Sequence, residues 1–239
     1  MAGIDGFAGR EPLLERLLTE AANEVGKSGV LWSTPATSES ARDGHLLVLL
    51  HGATSNERDL FDRLVPLLAP DFTIVSPRGP VQEGDGYSWV PPEVAVQAIT
   101  DRAVAAVGDS IARSALAWLD TLPAFATVGV LGASQGACIA FQMLRAAPIR
   151  LRYVVNLSGY ALPSGEDGDR ALQRTRPPVF WGHGIFDDVI PPAYIARTAA
   201  WLAQHSTLTE RRYDIGHNVT ASEMADVAAF VEEQTTANR

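Results

Sequence analysis

A serine set between two glycines constrains this chain more than any other feature. Gly132-Ala133-Ser134-Gln135-Gly136 follows the apolar run Val128-Gly129-Val130-Leu131 and precedes the helix-compatible residues Ala137 to Leu144. The bare G-x-S-x-G pattern arises by composition alone in about one chain of this size in ten, so its position has to carry the argument. A buried strand before it and a helix after it are what the pattern needs. The serine then occupies a tight strand-to-helix turn, the flanking glycines let strand and helix approach, and the hydroxyl stands clear of its neighbours.

With 239 residues and 46% hydrophobic content, the chain is long enough for one domain with a sizeable core, and we expect one domain over 1–239. The net charge of −9 argues against a nucleic-acid partner and against docking on anionic membrane. Cys138 is the sole cysteine, which excludes an internal disulfide and a thiolate zinc cluster. The first residues lack a basic start followed by an apolar stretch, and no run of 18 apolar residues occurs. The expected location is therefore cytoplasmic, without stable membrane association.

Along the chain, apolar stretches alternate with helical periodicity. Residues 12–25 place Leu14, Leu17, Leu18, Ala21 and Val25 on one helical face, an N-terminal helical extension at about 10–26. Val30 to Pro35 and Leu46 to Leu50, joined through Asp43-Gly44, suggest a hairpin. A helix is expected over 56–69, a buried strand at Phe72 to Pro77, an irregular Pro/Gly-rich loop at 80–97, and a helix from Ile99 to Leu122. Strands at 151–160, 178–183 and 209–217 alternate with a loop or short helix at 163–176 and a helix at 193–205. The final helix opens with Thr220 and Glu223 spaced as a reciprocal capping box. Uniformly apolar strands between helices indicate an α/β architecture with a mostly parallel sheet and helices on both faces.

A serine hydroxyl is a weak nucleophile at neutral pH and needs a base, which in turn needs an orienting acid. His217 stands where a strand ends, the place where reactive groups gather in open α/β sheets. His45 and His205 read as solvated, and His51 and His183, each followed by glycine, as structural groups bonding across strand ends. For the acid, Asp187 and Asp188 both stand at a strand-to-loop junction between Ser134 and His217, and Asp214 lies awkwardly close to the base. The backbone N–H groups of Ala53 and Gln135 are the expected oxyanion donors. Cys138 reads as a small buried hydrophobe, and Ser158 lacks the first glycine of the turn. Tyr87, Trp89 and Phe141 are candidates for the walls of an acyl pocket, with Trp89 the one expected to touch substrate.

Together, Leu49-Leu50-His51-Gly52-Ala53-Thr54, Ser76-Pro77-Arg78-Gly79-Pro80, the serine turn, His183 to Pro191 and Ile215-Gly216-His217-Asn218-Val219 resemble the phospholipase/carboxylesterase branch of the α/β-hydrolases. That branch includes bacterial carboxylesterases and acyl-protein thioesterases. The motifs stand in the family's order over most of the chain. The resemblance puts the acid on Asp187, in H-G-x-x-D-x-x-V-P, with Ile190 where valine is usual. It implies the α/β-hydrolase fold, a triad of Ser134, Asp187 and His217, and donors at Ala53 and Gln135. The implied activity is hydrolysis of short- to medium-chain carboxylic esters through an acyl-enzyme, with no metal and no cofactor. Lysophospholipase or acyl-thioesterase action uses the same triad, and a non-catalytic binding protein is the alternative of another class. The helix at 12–25 precedes the family's usual first strand; its amphipathic stripe is expected to pack on the sheet, with a lid or a homodimer contact as the alternative.

Overall fold

The computed structural model describes residues 24–27, 29–35, 44–91, 101–163 and 166–236. The expected helix at 12–25, the Asp43 turn and residues 92–97 of the expected loop lie wholly or mostly outside these. Seven strands form one sheet in the order β1 (Val30–Trp32), β3 (Phe72–Pro77), β2 (His45–Leu50), β6 (Thr127–Ala133), β7 (Tyr153–Leu157), β8 (Pro178–Gly184) and β9 (Thr207–Tyr213). Every pairing but one is parallel; β1 runs antiparallel to β3, with Leu31 opposite Ser76. The expected hairpin between the first two strands is therefore wrong. Strand β2 is flanked by β3 and β6 instead, because a uniformly apolar strand buries both faces best in the sheet's interior.

The side-chain period of two sorts β2 cleanly. Leu46, Val48 and Leu50 enter one core with helices α2 (Asp101–Leu119), α3 (Gln135–Ala146), α4 (Glu166–Thr175) and α5 (Pro192–His205). Leu47 and Leu49 enter a second core against α1 (Arg58–Leu64) and α6 (Ala221–Thr236). A sheet covered on both faces by helices is thus built from residues that are apolar on both sides. Phe141, an expected pocket residue, packs instead inside the first core against Trp201, with ring centroids 5.1 Å apart.

Residues 81–88 are not an irregular loop. They form a small antiparallel ribbon, β4 (Val81–Glu83) and β5 (Gly86–Ser88), with Val81 opposite Ser88. His45 and His205 are buried rather than solvated: His45 Nδ1 lies 2.8 Å from Thr127 Oγ1, and His205 Nδ1 donates to Trp201 O at 2.6 Å. The polarity of their sequence neighbours hid partners that only the fold supplies. His183 lies 3.1 Å from Glu210 and stacks on Trp181, a structural role as expected. Cys138 is buried too, which pushes its thiol up to about 12.

Half of the expected capping box forms. Thr220 Oγ1 accepts the Glu223 N–H at 3.2 Å, whereas the fully buried Glu223 carboxyl makes no hydrogen bond of good geometry among the described residues, the Thr220 N–H acting on it only weakly. A Cβ on Gly182 would lie 2.3 Å from Glu223 Oε1, so the glycine in β8 is what makes room for it. No helix among the described residues is long and apolar enough to cross a membrane.

Candidate active site

Between β2 and β6 the direction of strand succession reverses, and in open α/β sheets the crevice at that point, beyond the carboxyl ends of the strands, is where ligands collect. The two strands end in register, Leu50 beside Gly132, so the loop at His51–Ser55 emerges next to the serine turn. The loops after β8 and β9 carry Asp187 and His217 to the same edge.

Ser134 has φ 50° and ψ −114°, a strained conformation for a residue with a Cβ. The glycines explain how the chain sustains it. A Cβ on Gly132 would lie 2.3 Å from Gly136 O, and one on Gly136 would lie 2.2 Å from Leu50 O and 2.5 Å from His51 O. Strand β6, helix α3 and the end of β2 therefore meet backbone to backbone. The Ser134 N–H donates to Leu157 O at 2.8 Å, tying the turn to β7.

The Ser134 hydroxyl lies 2.9 Å from His217 Nε2, and His217 Nδ1 lies 2.8 Å from Asp187 Oδ2. A carboxylate only accepts, so Nδ1 carries the proton and Nε2 is left to accept from the serine. The side chain of Asp187 is only 3% exposed. Burial pushes its carboxyl up, but the His217 ring and the N–H groups of Ile190 and Val189, both 3.0 Å from Oδ1, outweigh burial and leave it below the ordinary carboxylate value. Asp188 and Asp214 are exposed and take no part in this chain of bonds.

Gln135 opens α3, so its N–H is one of the helix's unbonded donors, at the positive end of the helix dipole. Neither it nor the Ala53 N–H has an acceptor among the described residues. The Gly52–Ala53 peptide is oriented by His51, whose Nδ1 donates to Gly52 O at 2.7 Å while Nε2 accepts the Gly79 N–H at 2.8 Å. Because carbonyl and N–H point oppositely in a trans peptide, this turns the Ala53 N–H away from His51. Burial holds His51 below its ordinary pKa, which keeps the ring neutral as this double role requires.

Trp89 does not line the pocket as expected. It is fully buried, its N–H donates to Gln135 Oε1 at 2.6 Å, and its indole donates to His51 O at 2.8 Å. It braces the site from behind. Tyr87 lies under Arg78, whose guanidinium carbon is 4.4 Å from the ring centroid and which also holds buried Glu57; this bond keeps the Glu57 carboxyl low and the Arg78 pKa high. Ser88, Glu57 and the Gln135 side chain are partners that sequence reading missed, since each acts on a residue at least 21 positions away.

Ser134 and His217 open into a pocket of about 220 Å³, shared with Ala53, Ser55, Asp59, Arg63, Ser158 and Asn218. Arg63 bonds Val219 O at 3.1 Å and pairs with Asp59 at 3.0 Å across the pocket wall. A larger groove of about 840 Å³ lies on the other side of Asp187, between α5 and β9, and does not include the serine.

A parallel sheet covered by helices on both faces, with a serine on a strained strand-to-helix turn, defines an α/β-hydrolase. Residues 35–235 match the phospholipase/carboxylesterase family, and the chain belongs to that family. Among solved structures it is similar to esterase PE8, with 27% identity over 85% of this chain and 96% of that one and a TM-score of 0.64. It is also similar to the Bacillus cereus carboxylesterase, at 18% identity over 86% of this chain and 93% of that one, TM-score 0.64. A third is Zea mays acyl-protein thioesterase 2, at 22% identity over 86% of this chain and 98% of that one, TM-score 0.64. A search of curated protein sequences finds no match.

Proposed function

We propose that the protein is a serine carboxylesterase that hydrolyses short- to medium-chain carboxylic esters through an acyl-enzyme. The observation that carries this reading is the unbroken chain from Asp187 Oδ2 through the His217 ring to the Ser134 hydroxyl, with links of 2.8 and 2.9 Å. Ser134 attacks the acyl carbon as His217 Nε2 takes its proton, and Asp187 stabilises the imidazolium without being protonated. The oxyanion is received by the N–H groups of Ala53 and Gln135, the latter aided by the dipole of α3. His217 then protonates the leaving alcohol, and water deacylates Ser134 by the same route.

The polar walls that Ser55, Asp59, Arg63 and Asn218 give the pocket beside Ser134 suit a small acyl group better than a long alkyl chain. The similarity to an acyl-protein thioesterase keeps thioester hydrolysis as the second reading. The test is turnover of p-nitrophenyl esters from two to sixteen carbons, with matched thioesters and with Ser134→Ala as blank. A maximum at short or medium esters, absent from the variant, supports the proposal. A maximum at long chains or thioesters moves it to the second reading, and a folded but inert protein points to a binding role.

A further inference from the structure

The residue after the proposed donor Ala53 is strained. Thr54 has φ 57°, an outlier for a β-branched residue that persists only where its surroundings hold it. What holds it comes from the β4–β5 ribbon. The Thr54 N–H donates to Ser88 Oγ at 2.9 Å, and Ser88, fully buried, donates its own proton to Glu83 Oε2 at 2.5 Å. That second bond leaves the serine's lone pairs to face Thr54. One residue on, the Tyr87 N–H donates to Ser55 O at 2.6 Å. Gly86 permits the approach, because a Cβ there would lie 2.0 Å from Thr54 O.

The consequence concerns Ala53, whose two flanking peptides are pinned independently. His51 fixes the Gly52–Ala53 peptide, which bears the donor N–H, and Ser88 fixes the Ala53–Thr54 peptide. If the second is released, Thr54 relaxes toward negative φ by rotating that peptide, and the Ala53 backbone turns with it.

We propose that Ser88, backed by Glu83, is a positioning residue that holds the oxyanion loop in its strained, donor-forward conformation. This rests on the esterase reading above. Ser88 does not border the pocket, so it acts on the transition state through the loop and leaves ground-state binding alone. A displacement of about 1 Å in a catalytic group is enough to lower the rate ~100-fold.

The test is steady-state kinetics on p-nitrophenyl butyrate. Ser88→Ala is expected to lower kcat about 10- to 100-fold with KM within about threefold, and to weaken a boronic acid that mimics the tetrahedral intermediate by a similar factor. Glu83→Gln, which keeps an acceptor for the Ser88 hydroxyl, is expected to hold kcat within about twofold, whereas Glu83→Ala lowers it about 3- to 10-fold. Unchanged kcat in Ser88→Ala overturns the inference, as does a rise in KM that accounts for the whole loss. Should Ser88→Ala fail to fold, the half-buried Glu83 decides: equal kcat in Glu83→Ala and Glu83→Gln overturns it. A wild-type protein inert toward every ester sinks the esterase reading instead, which separates the two failures.

Discussion

Of the three residues beside the site that hold positive φ without being glycine, Ser134, Thr54 and Ser158, the first two are secured by opposite means. Ser134 is held by what is missing around it: Gly132 and Gly136 remove the side chains that would keep three backbones apart. Thr54 is held by what is present, with Ser88 on its N–H, Gly86 against its carbonyl and Tyr87 bonded to the next residue. The first device is written within five consecutive residues. The second is assembled from a ribbon 34 positions along the chain. A turn built from glycines resists through sterics, and one built from side-chain bonds resists only while each partner is in place.

The contrast can be broken most forcefully at its reactive atom. Ser134→Ala removes the proposed nucleophile, and turnover is expected to drop by at least ~10⁴-fold with the melting temperature nearly unchanged. Asp187→Asn should lower kcat by ~10³- to 10⁴-fold because the histidine loses its tautomeric anchor, while the exposed Asp188→Asn stays within about twofold. A reversed ranking in steady-state kinetics would reject Asp187 as the acid.

The steric and side-chain devices are then compared directly by stability. Gly136→Ala drives a Cβ into the carbonyls of Leu50 and His51, neither of which can yield without moving β2. We expect a loss of about 3–5 kcal/mol in urea unfolding. Thr54→Gly removes the strain but adds backbone freedom to the unfolded chain, so its net change should stay within about 1 kcal/mol. Equal effects at the two positions would mean that the turns are not held differently.

A smaller effect belongs to Glu223, at the start of the helix that follows the His217 loop. Burial raises its carboxyl from 4.5 to about 7. With the folded value above the unfolded one, the stability this group contributes is complete below about pH 4.5 and is lost as pH rises toward 7. The loss should reach no more than ~3 kcal/mol. Glu223→Gln abolishes the titration, so the drop in melting temperature between pH 5 and pH 8 should shrink in the variant; an identical drop would show that the carboxyl does not titrate in this range.

What was legible in the sequence follows the same division. Apolar runs long enough to be buried on both faces announced the parallel sheet, and the glycine spacing around Ser134 announced its turn, since both signals are local. Asp187 was separable from Asp188 only through the family resemblance, because two adjacent carboxylates at a loop look alike until one receives the N–H groups of Val189 and Ile190. The ribbon at 81–88 was missed because its strands are three residues each and its Gly-rich composition reads as loop. Trp89 was assigned to the pocket because an indole beside a loop offers no sign of which way it faces. Its partners, Gln135 and the carbonyl of His51, come from two other strands' ends. Glu223 illustrates a local rule only partly kept: its carboxyl fills the space left by Gly182, with the Thr220 N–H near enough to lower its pKa but no hydrogen bond of good geometry formed.

The most direct test of the central claim is covalent labelling with a fluorophosphonate, read by intact mass and peptide mapping. The account predicts one adduct, on Ser134, absent from Ser134→Ala and formed far more slowly in His217→Ala. No adduct on a folded protein, or an adduct on Ser158, which shares the pocket and also has positive φ, would contradict it.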